Sequence, residues 1–198
     1  MKKIILATAL LLAPLVSSAA ITTYTSQATW SAAAGTTTLH DFNSDAEGPA
    51  LRDFGDFTGA IVNPYSIFVP AVQNNEIKLQ ALDVNTWFKV TFDSNVSAFG
   101  FTWRNTDTTG GKIELNVLGQ NFIFGPNGSG FFGVISTNLF TEALLGSSGG
   151  HELAYGYVDN FLYSSSAPQV PIPAAAFMFT PVLLGFIGLR RRVKNNVA

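Results

Sequence analysis

Apolar residues alternate with more polar ones along the middle of the chain, in short runs that end at turn-forming residues. The segment WFKVTF carries Phe88, Val90 and Phe92 at every second position, and KIELNVL repeats the pattern with Ile, Leu and Val. Successive side chains of a β-strand point to opposite faces, so a period of two predicts half-buried strands. No sustained helical period interrupts these runs between the two chain ends. The pattern predicts an all-β fold, an antiparallel β-sandwich or jelly roll.

Other segments of the same kind fill most of the middle of the chain. VSAFGFTW places Phe99, Phe101 and Trp103 on one face, and Gly100 predicts a bulge or a close backbone approach. The Gly119–Gln120 connection predicts a tight hairpin between KIELNVL and NFIF. The remaining predicted strands are FFGVIS and residues 37–42, 76–81, 139–145 and 153–162.

Two stretches depart from the alternation. TSQATWSAAAG, residues 25–35, predicts a short helix with Ser26 as its N-terminal cap and Trp30 packed on the sheet. Residues 44–72 are dense in turn-forming residues and predict a long loop with one or two short strands.

The N-terminal end has the three parts of a secretory signal peptide. Lys2 and Lys3 precede an apolar run over residues 4–16, and small residues follow it up to Ala19 and Ala20. A positive start, an apolar centre and small residues at the end are what signal peptidase requires. The sequence predicts export through the Sec translocon, with cleavage by signal peptidase after Ala19 or Ala20.

The charge distribution separates the body of the chain from its ends. The whole chain has a formal net charge of −2, yet residues 21–169 hold five basic residues against all thirteen carboxylates, a formal charge of −8. An acidic body with scattered basic side chains lacks the positive patch that nucleic-acid binding requires. The chain also contains no cysteine, which excludes disulfides, thiol nucleophiles and Cys-based zinc sites.

The residues that could do acid–base chemistry are few. His40 and His151 each have an acidic neighbour, Asp41 and Glu152, but adjacent residues on a strand point to opposite faces. The G-x-S-x-G elbow of α/β-hydrolases is absent from the sequence. We therefore predict that the protein is not an enzyme.

Acidic residues near the two ends of the predicted β domain could meet in space. Asp41, Asp45 and Glu47 lie near its start, and Asp159 and Asn160 near its end, and sandwich folds often bring first and last strands together. Ca²⁺ takes six to eight oxygen ligands, which Asp41, Asp159 and Asn160 would begin to supply. Acidic turn residues more often face solvent, so both a structural calcium ion and a purely solvated cluster remain open, and no other cofactor is predicted.

The C-terminal end, VPIPAAAFMFTPVLLGFIGLRRR, is apolar and then strongly basic. Sixteen residues from Ala174 to Leu189 carry no charge, which as a helix spans roughly 24 Å against a hydrocarbon core of about 30 Å. Pro181 weakens such a helix further, and Arg190, Arg191 and Arg192 would stay on the cytoplasmic side. The segment predicts a weak transmembrane helix, with an ordinary single-pass anchor as the alternative.

This tail resembles the PEP-CTERM sorting signal of Gram-negative bacteria in its VPxPA variant. The matching residues are Val170, Pro171, Ile172, Pro173 and Ala174, then Gly185, Gly188 and Leu189, then the stop-transfer cluster Arg190, Arg191 and Arg192. The resemblance implies recognition by an exosortase, an integral-membrane transpeptidase, in bacteria that make exopolysaccharide or biofilm matrix. Ile172 stands where the commonest form of the motif has Glu, which leaves the exosortase subtype open.

These segments define an expected organisation and function. Residues 1–20 are the predicted signal peptide, 21–166 a β-sandwich ectodomain and 167–198 the sorting signal. We expect a non-catalytic protein that is held in the inner membrane during sorting and then moves to the cell surface or extracellular matrix. Trp103 and Tyr155 are the aromatic residues that could stack on exopolysaccharide, with packing in the core, the more frequent fate of aromatic side chains, as the alternative. The alternatives are an exported hydrolase acting on glycans and a simple membrane-anchored β protein.

Overall fold

The computed structural model describes residues 20–62, 70–81, 87–106, 108, 110–148 and 153–165 of the 198. The predicted signal peptide up to Ala19, His151, and the tail with its motif at 170–174 and arginines at 190–192 lie outside these residues. Within the described part of the chain, helices long and apolar enough to cross a bilayer are absent. The flanking helices and the domain boundaries therefore stay predictions.

The described residues form one short helix and eleven strands, and every strand pairing is antiparallel. The all-β prediction is confirmed. In chain order the elements are β1 Ile21–Tyr24, α1 Gln27–Ala34, β2 Thr38–His40, β3 Gly48–Pro49, β4 Phe57–Val62, β5 Ala71–Gln73, β6 Glu76–Ala81, β7 Trp87–Asn105, β8 Lys112–Val117, β9 Gln120–Phe124, β10 Gly128–Ser148 and β11 Leu153–Ser164.

Two long strands, β7 and β10, pass through two differently paired regions. Residues 87–92 of β7 pair with β4 and with the end of β10, whereas residues 98–105 pair with the start of β10 and with β11. The β7–β10 register shifts between Ile135 and Glu142, and inserted residues of this kind bend a strand and increase its twist. Each long strand had been predicted as two separate strands, because the polar residues at the bend resemble a turn.

The sheet folds over a single core rich in phenylalanine. Strands β5, β6, β11, β7, β10 and β1 form one side, and β4, β7, β10, β8 and β9 form the other. The Phe124 ring of β9 lies 4.7 Å from Phe132 and 5.9 Å from Phe101, centroid to centroid, which joins the two sides. The predicted faces are correct: Phe88, Val90, Phe92, Phe99, Phe101, Ile113, Leu115 and Val117 are all buried in this core.

Two predicted connections can be compared with the structure. The β8–β9 hairpin is confirmed, but its two-residue turn lies one residue earlier than predicted, at Leu118 and Gly119, because Gln120 already pairs with Val117. Both turn residues have positive φ (52° and 77°), as a type I′ turn requires. The predicted long loop at 44–72 contains β3, β4 and the start of β5. One or two short strands were predicted there, but the position of β4 was not, because FTGAIV has no clean alternation; β4 pairs with β7.

Helix α1 covers part of the outer face of the sheet, as the sequence predicts. Ser26 caps it, its side chain accepting a hydrogen bond from the Thr29 amide at 3.5 Å. Trp30 is fully buried and donates from Nε1 to the Val134 carbonyl at 3.2 Å. Gly100 and Gly133 face each other across β7 and β10, and a Cβ at Gly133 would lie 2.5 Å from Trp30 Cδ1. The predicted close approach at Gly100 is thereby confirmed, since a Cβ there would lie 2.7 Å from Phe131 Cζ.

Candidate functional site

The outer face of the sheet is divided into two halves. In the covered half, Ala98, Phe131, Ile135 and Leu162 of the sheet pack with Trp30 and Ala34 of α1. The open patch lies beyond it on the same strands and consists of Glu76 on β6, Thr102 and Arg104 on β7, Ser129 on β10, and Tyr157 and Asp159 on β11. These six residues, together with Trp103 and Gly130, line a shallow depression of about 310 Å³.

The strand register assembles the open patch from distant parts of the chain. Arg104 lies opposite Tyr157 on β11 and opposite Ser129 on β10, and Thr102 lies opposite Asp159. Directly opposite residues of an antiparallel pair place their side chains on the same face, close enough to touch. One aromatic ring, one guanidinium, two carboxylates and two hydroxyls therefore share one surface.

Arg104 organises the centre of the patch. Its Nη2 donates to Glu76 Oε2 at 2.6 Å, and its guanidinium carbon lies 4.0 Å from the centroid of the Tyr157 ring. The Arg104 side chain is 45% exposed, so the ion pair adds little to the free energy of folding. Its stacking on the aromatic face holds the Tyr157 ring in place.

Asp159 and Asn160 form a bulge at the edge of the patch. Asn160 has φ 52°, and the β11–β7 register shifts between Asp159 and Leu162. The Asp159 carboxylate accepts hydrogen bonds from the Asn160 amide at 2.6 Å and from Asn160 Nδ2 at 2.8 Å. Thr102 Oγ1 donates to the Asp159 carbonyl at 3.1 Å. Partial burial raises the pKa of Asp159, although the hydrogen bond from the Asn160 amide opposes that effect.

Of the two aromatic residues predicted to contact a glycan, the structure describes the side chain of Trp103 but not that of Tyr155. Trp103 is on the inner face, as the alternation in VSAFGFTW predicts, and its ring lies 5.3 Å from that of Phe124. It packs against the core and also lines the depression. The side chain of Tyr155 lies outside the described residues. Tyr157 is the aromatic residue of the patch, and it was missed even though its alternation with Gly156 and Val158 places it on the outer face.

The two acidic segments predicted to hold calcium do meet. Strand β2 pairs with β11, so Asp41 lies near Asp159, and its charge contributes to the raised pKa of Asp159. Asp41 accepts from Asn43 Nδ2 at 2.7 Å, and this hydrogen bond is the main reason that the pKa of Asp41 is lowered. Among the residues that the structure describes, no group of three or more acidic or histidine side chains is arranged to hold a metal ion.

The other acidic residues near Asp41 also have partners within the protein. His40 Nε2 lies 2.7 Å from Asp45 Oδ2, and the His40 ring packs edge-on against Phe42, with the ring centroids 4.7 Å apart. Arg52 Nη2 lies 3.5 Å from the second Asp45 oxygen. His40 thus pairs with an aspartate five residues away, and the cluster closes the loop that follows β2.

Comparison with known proteins gives a likeness to solved structures alone. No protein-family model and no curated protein sequence matches the chain. The chain is similar to the catalytic domain of a GH87 alpha-1,3-glucanase variant in complex with tetrasaccharides, with a TM-score of 0.38 and 12% identity over 69% of this chain and 29% of that one. The same domain in complex with nigerose gives a TM-score of 0.36 and 12% identity over the same shares. The chain thus spans less than a third of these solved chains.

Proposed function

We propose that this chain is an exported surface or extracellular-matrix protein whose β domain binds a glycan without cleaving it. In this proposal the domain is a β-sandwich between a signal helix and a C-terminal transmembrane helix. The observation that carries the proposal is the open patch, where the Tyr157 ring lies in a shallow depression beside charged groups and hydroxyls. Rigid aromatic rings with adjacent hydrogen-bonding groups suit sugar rings, which have an apolar face and a polar edge.

The chemistry of the patch favours a neutral glycan. Arg104 is ion-paired with Glu76, and Asp159 adds a second carboxylate to the same depression. The body of the chain is also strongly acidic, so that a polyanionic glycan would be repelled over a longer range. Hydroxyl groups of a neutral sugar would find donors in Arg104 and Ser129, and acceptors in Glu76 and Asp159.

Glycan binding is tested with the full-length chain in a mild detergent on an array of neutral polysaccharides and host exopolysaccharide. We expect saturable binding that falls about tenfold in Tyr157→Ala, because the stacking platform is lost. The matched control is Ile123→Ala, which removes a side chain that is 56% exposed on β9. Equal binding by wild type and Tyr157→Ala, or no binding to any glycan, would reject the patch as the site.

The sorting part of the proposal rests on the tail sequence. The motif Val170, Pro171, Ile172, Pro173 and Ala174, followed by an apolar segment and three arginines, would direct the chain to an exosortase after export by the Sec translocon. Intact-mass and C-terminal peptide mass spectrometry on native membrane, surface and secreted fractions tests this. A chain ending within residues 171–174 supports sorting, and a membrane fraction that retains Arg190–Arg192 would make the tail a permanent anchor.

A hydrolase is the second candidate, and one observation favours it. Asp159, whose pKa is raised, shares its depression with the Arg104-bound carboxylate of Glu76, and glycosidic cleavage requires an acid beside a second carboxylate. Reducing-sugar release from bound glycans separates the two functions. A hydrolase would release sugar and lose this activity in Asp159→Asn, whereas a binding protein would release none, either as wild type or as Asp159→Asn.

A further inference from the structure

A second polar depression, distinct from the open patch, lies where strand β4 begins. It has a volume of about 280 Å³, and its lining includes Thr38, Asp56, Asp93, Ser94, Tyr163 and Ser165. All of these side chains end in oxygen. The depression therefore offers two carboxylates and several neutral oxygens within one small space.

The two carboxylates of this depression are held opposite each other by the backbone. Phe57 of β4 pairs with Phe92 of β7, and the next step of the ladder brings the Asp93 amide to 3.2 Å from the Asp56 carbonyl. Like charges directly opposite each other on antiparallel strands destabilise the pair. A cation between them would turn this repulsion into attraction.

Tyr163 supplies the second, independent sign of a ligand. It is only 8% exposed and lines the depression, and its hydroxyl is buried without a hydrogen-bond partner among the described residues. Buried polar groups in folded proteins nearly always have a partner, and leaving one unpaired lowers stability. Burial raises the pKa of Tyr163 most, and the nearby carboxylate of Asp56 adds to the effect, so the phenol stays neutral. A neutral oxygen near two carboxylates is a suitable ligand for a hard cation.

We propose that Asp56 and Asp93 hold a Ca²⁺ ion in this depression, with the Tyr163 hydroxyl and the hydroxyls of Thr38 and Ser94 as neutral ligands. Ca²⁺ prefers oxygen ligands, tolerates irregular geometry and accepts water in the remaining positions. The dication would balance the two aspartates in a body with a large excess of negative charge. This site is separate from the Asp41 and Asp159 region, and it does not depend on glycan binding.

The test is calcium titration of the full-length, EDTA-treated chain by calorimetry, together with its thermal unfolding. We expect one Ca²⁺ per chain, a rise in Tm with CaCl₂ and a weaker response to MgCl₂ at matched ionic strength. Asp56→Asn and Asp93→Asn should each weaken binding at least about tenfold. They should also raise the Tm of the calcium-free chain, because each removes the like-charge repulsion.

Tyr163→Phe separates a ligand from a structural role. It removes only the unpartnered hydroxyl, so we expect an unchanged or higher Tm without calcium and a severalfold weaker calcium affinity. Glu142→Gln is the charge-matched control, since Glu142 pairs with Lys89, and it should bind calcium like wild type. The proposal is overturned if calcium up to about 10 mM, above the weak extracellular range, gives neither heat nor a Tm shift. It is also overturned if Asp41→Asn and Asp159→Asn abolish binding while Asp56→Asn does not.

Discussion

The two halves of the outer sheet face are built on the same strands but have opposite surfaces. The covered half is apolar and carries Gly100 and Gly133 opposite each other, which leaves space for the Trp30 ring. The open patch begins two residues further along β7, where Thr102 and Arg104 replace Ala98 and Gly100 on the same face. This pair of cross-strand glycines therefore determines where the helix packs. It also determines which part of the sheet stays available to a ligand.

The largest expected effect comes from removing the side chain that defines the covered half. Trp30→Ala should lower the free energy of unfolding by about 4 kcal/mol, because it empties a fully buried site and leaves the Val134 carbonyl without its donor. Urea unfolding of the full-length chain measures this. Tyr157→Ala is the matched variant in the open patch and should lower stability by less than about 1 kcal/mol. Similar losses in both variants would remove the distinction between the halves.

Filling the glycine space should come next in size. Gly133→Ala would place a Cβ 2.5 Å from Trp30 Cδ1, and overpacking of a rigid ring lowers stability by about 1–3 kcal/mol. The control is Gly130→Ala on the same strand, where the nearest atom to a new Cβ would be Trp103 Nε1 at 3.7 Å. Equal stability of the two variants, measured by chemical unfolding, would contradict the role given to Gly133.

The helix cap should have a smaller effect. Ser26→Ala removes the acceptor for the Thr29 amide and should lower the free energy of unfolding by about 1 kcal/mol. Ser26→Asp should restore the loss, because aspartate is an equally good cap. If neither substitution changes stability, the position of α1 depends on Trp30 packing alone.

The smallest effect concerns two aspartates that lie near each other at the β2–β11 junction. The raised pKa of Asp159 means that its carboxyl group binds a proton more tightly in the folded state than in the unfolded state. Protonated Asp159 therefore stabilises the fold at low pH, and this stabilisation is lost as the pH rises through the folded-state pKa. Asp41, whose pKa is lowered, contributes stability at higher pH that is lost as the pH falls through its folded-state pKa.

Carboxyl titration by NMR should therefore place Asp159 above and Asp41 below the usual value of about 3.9. The stability of Asp159→Asn relative to wild type should also become more favourable between about pH 3 and pH 7, since the amide cannot ionise. Coincident titration of the two carboxyls would show that the partial burial of Asp159 and the Asn43 hydrogen bond to Asp41 do not separate their pKa values.

Local patterns predicted the parts of the fold that depend on neighbouring residues. The period of two placed Phe99, Phe101 and Trp103 on the core side, and the Ser26 cap and the β8–β9 hairpin, though with its turn one residue too late, followed from short-range patterns. The candidate site was predicted less well. Trp103 lines the same depression as the open patch, but Tyr157 and Arg104 were missed because their contact depends on the β7–β11 register.

The sequence by itself determined the strand-forming segments, their buried faces, the helix cap and the acidic character of the body, because each depends on residues close together in the chain. Tertiary structure alone decided that β7 and β10 continue through a bend. It also decided that Asp56 meets Asp93 and that half of one sheet face stays open. These features depend on the pairing register of distant strands, which the packing of the whole core sets and no local pattern records.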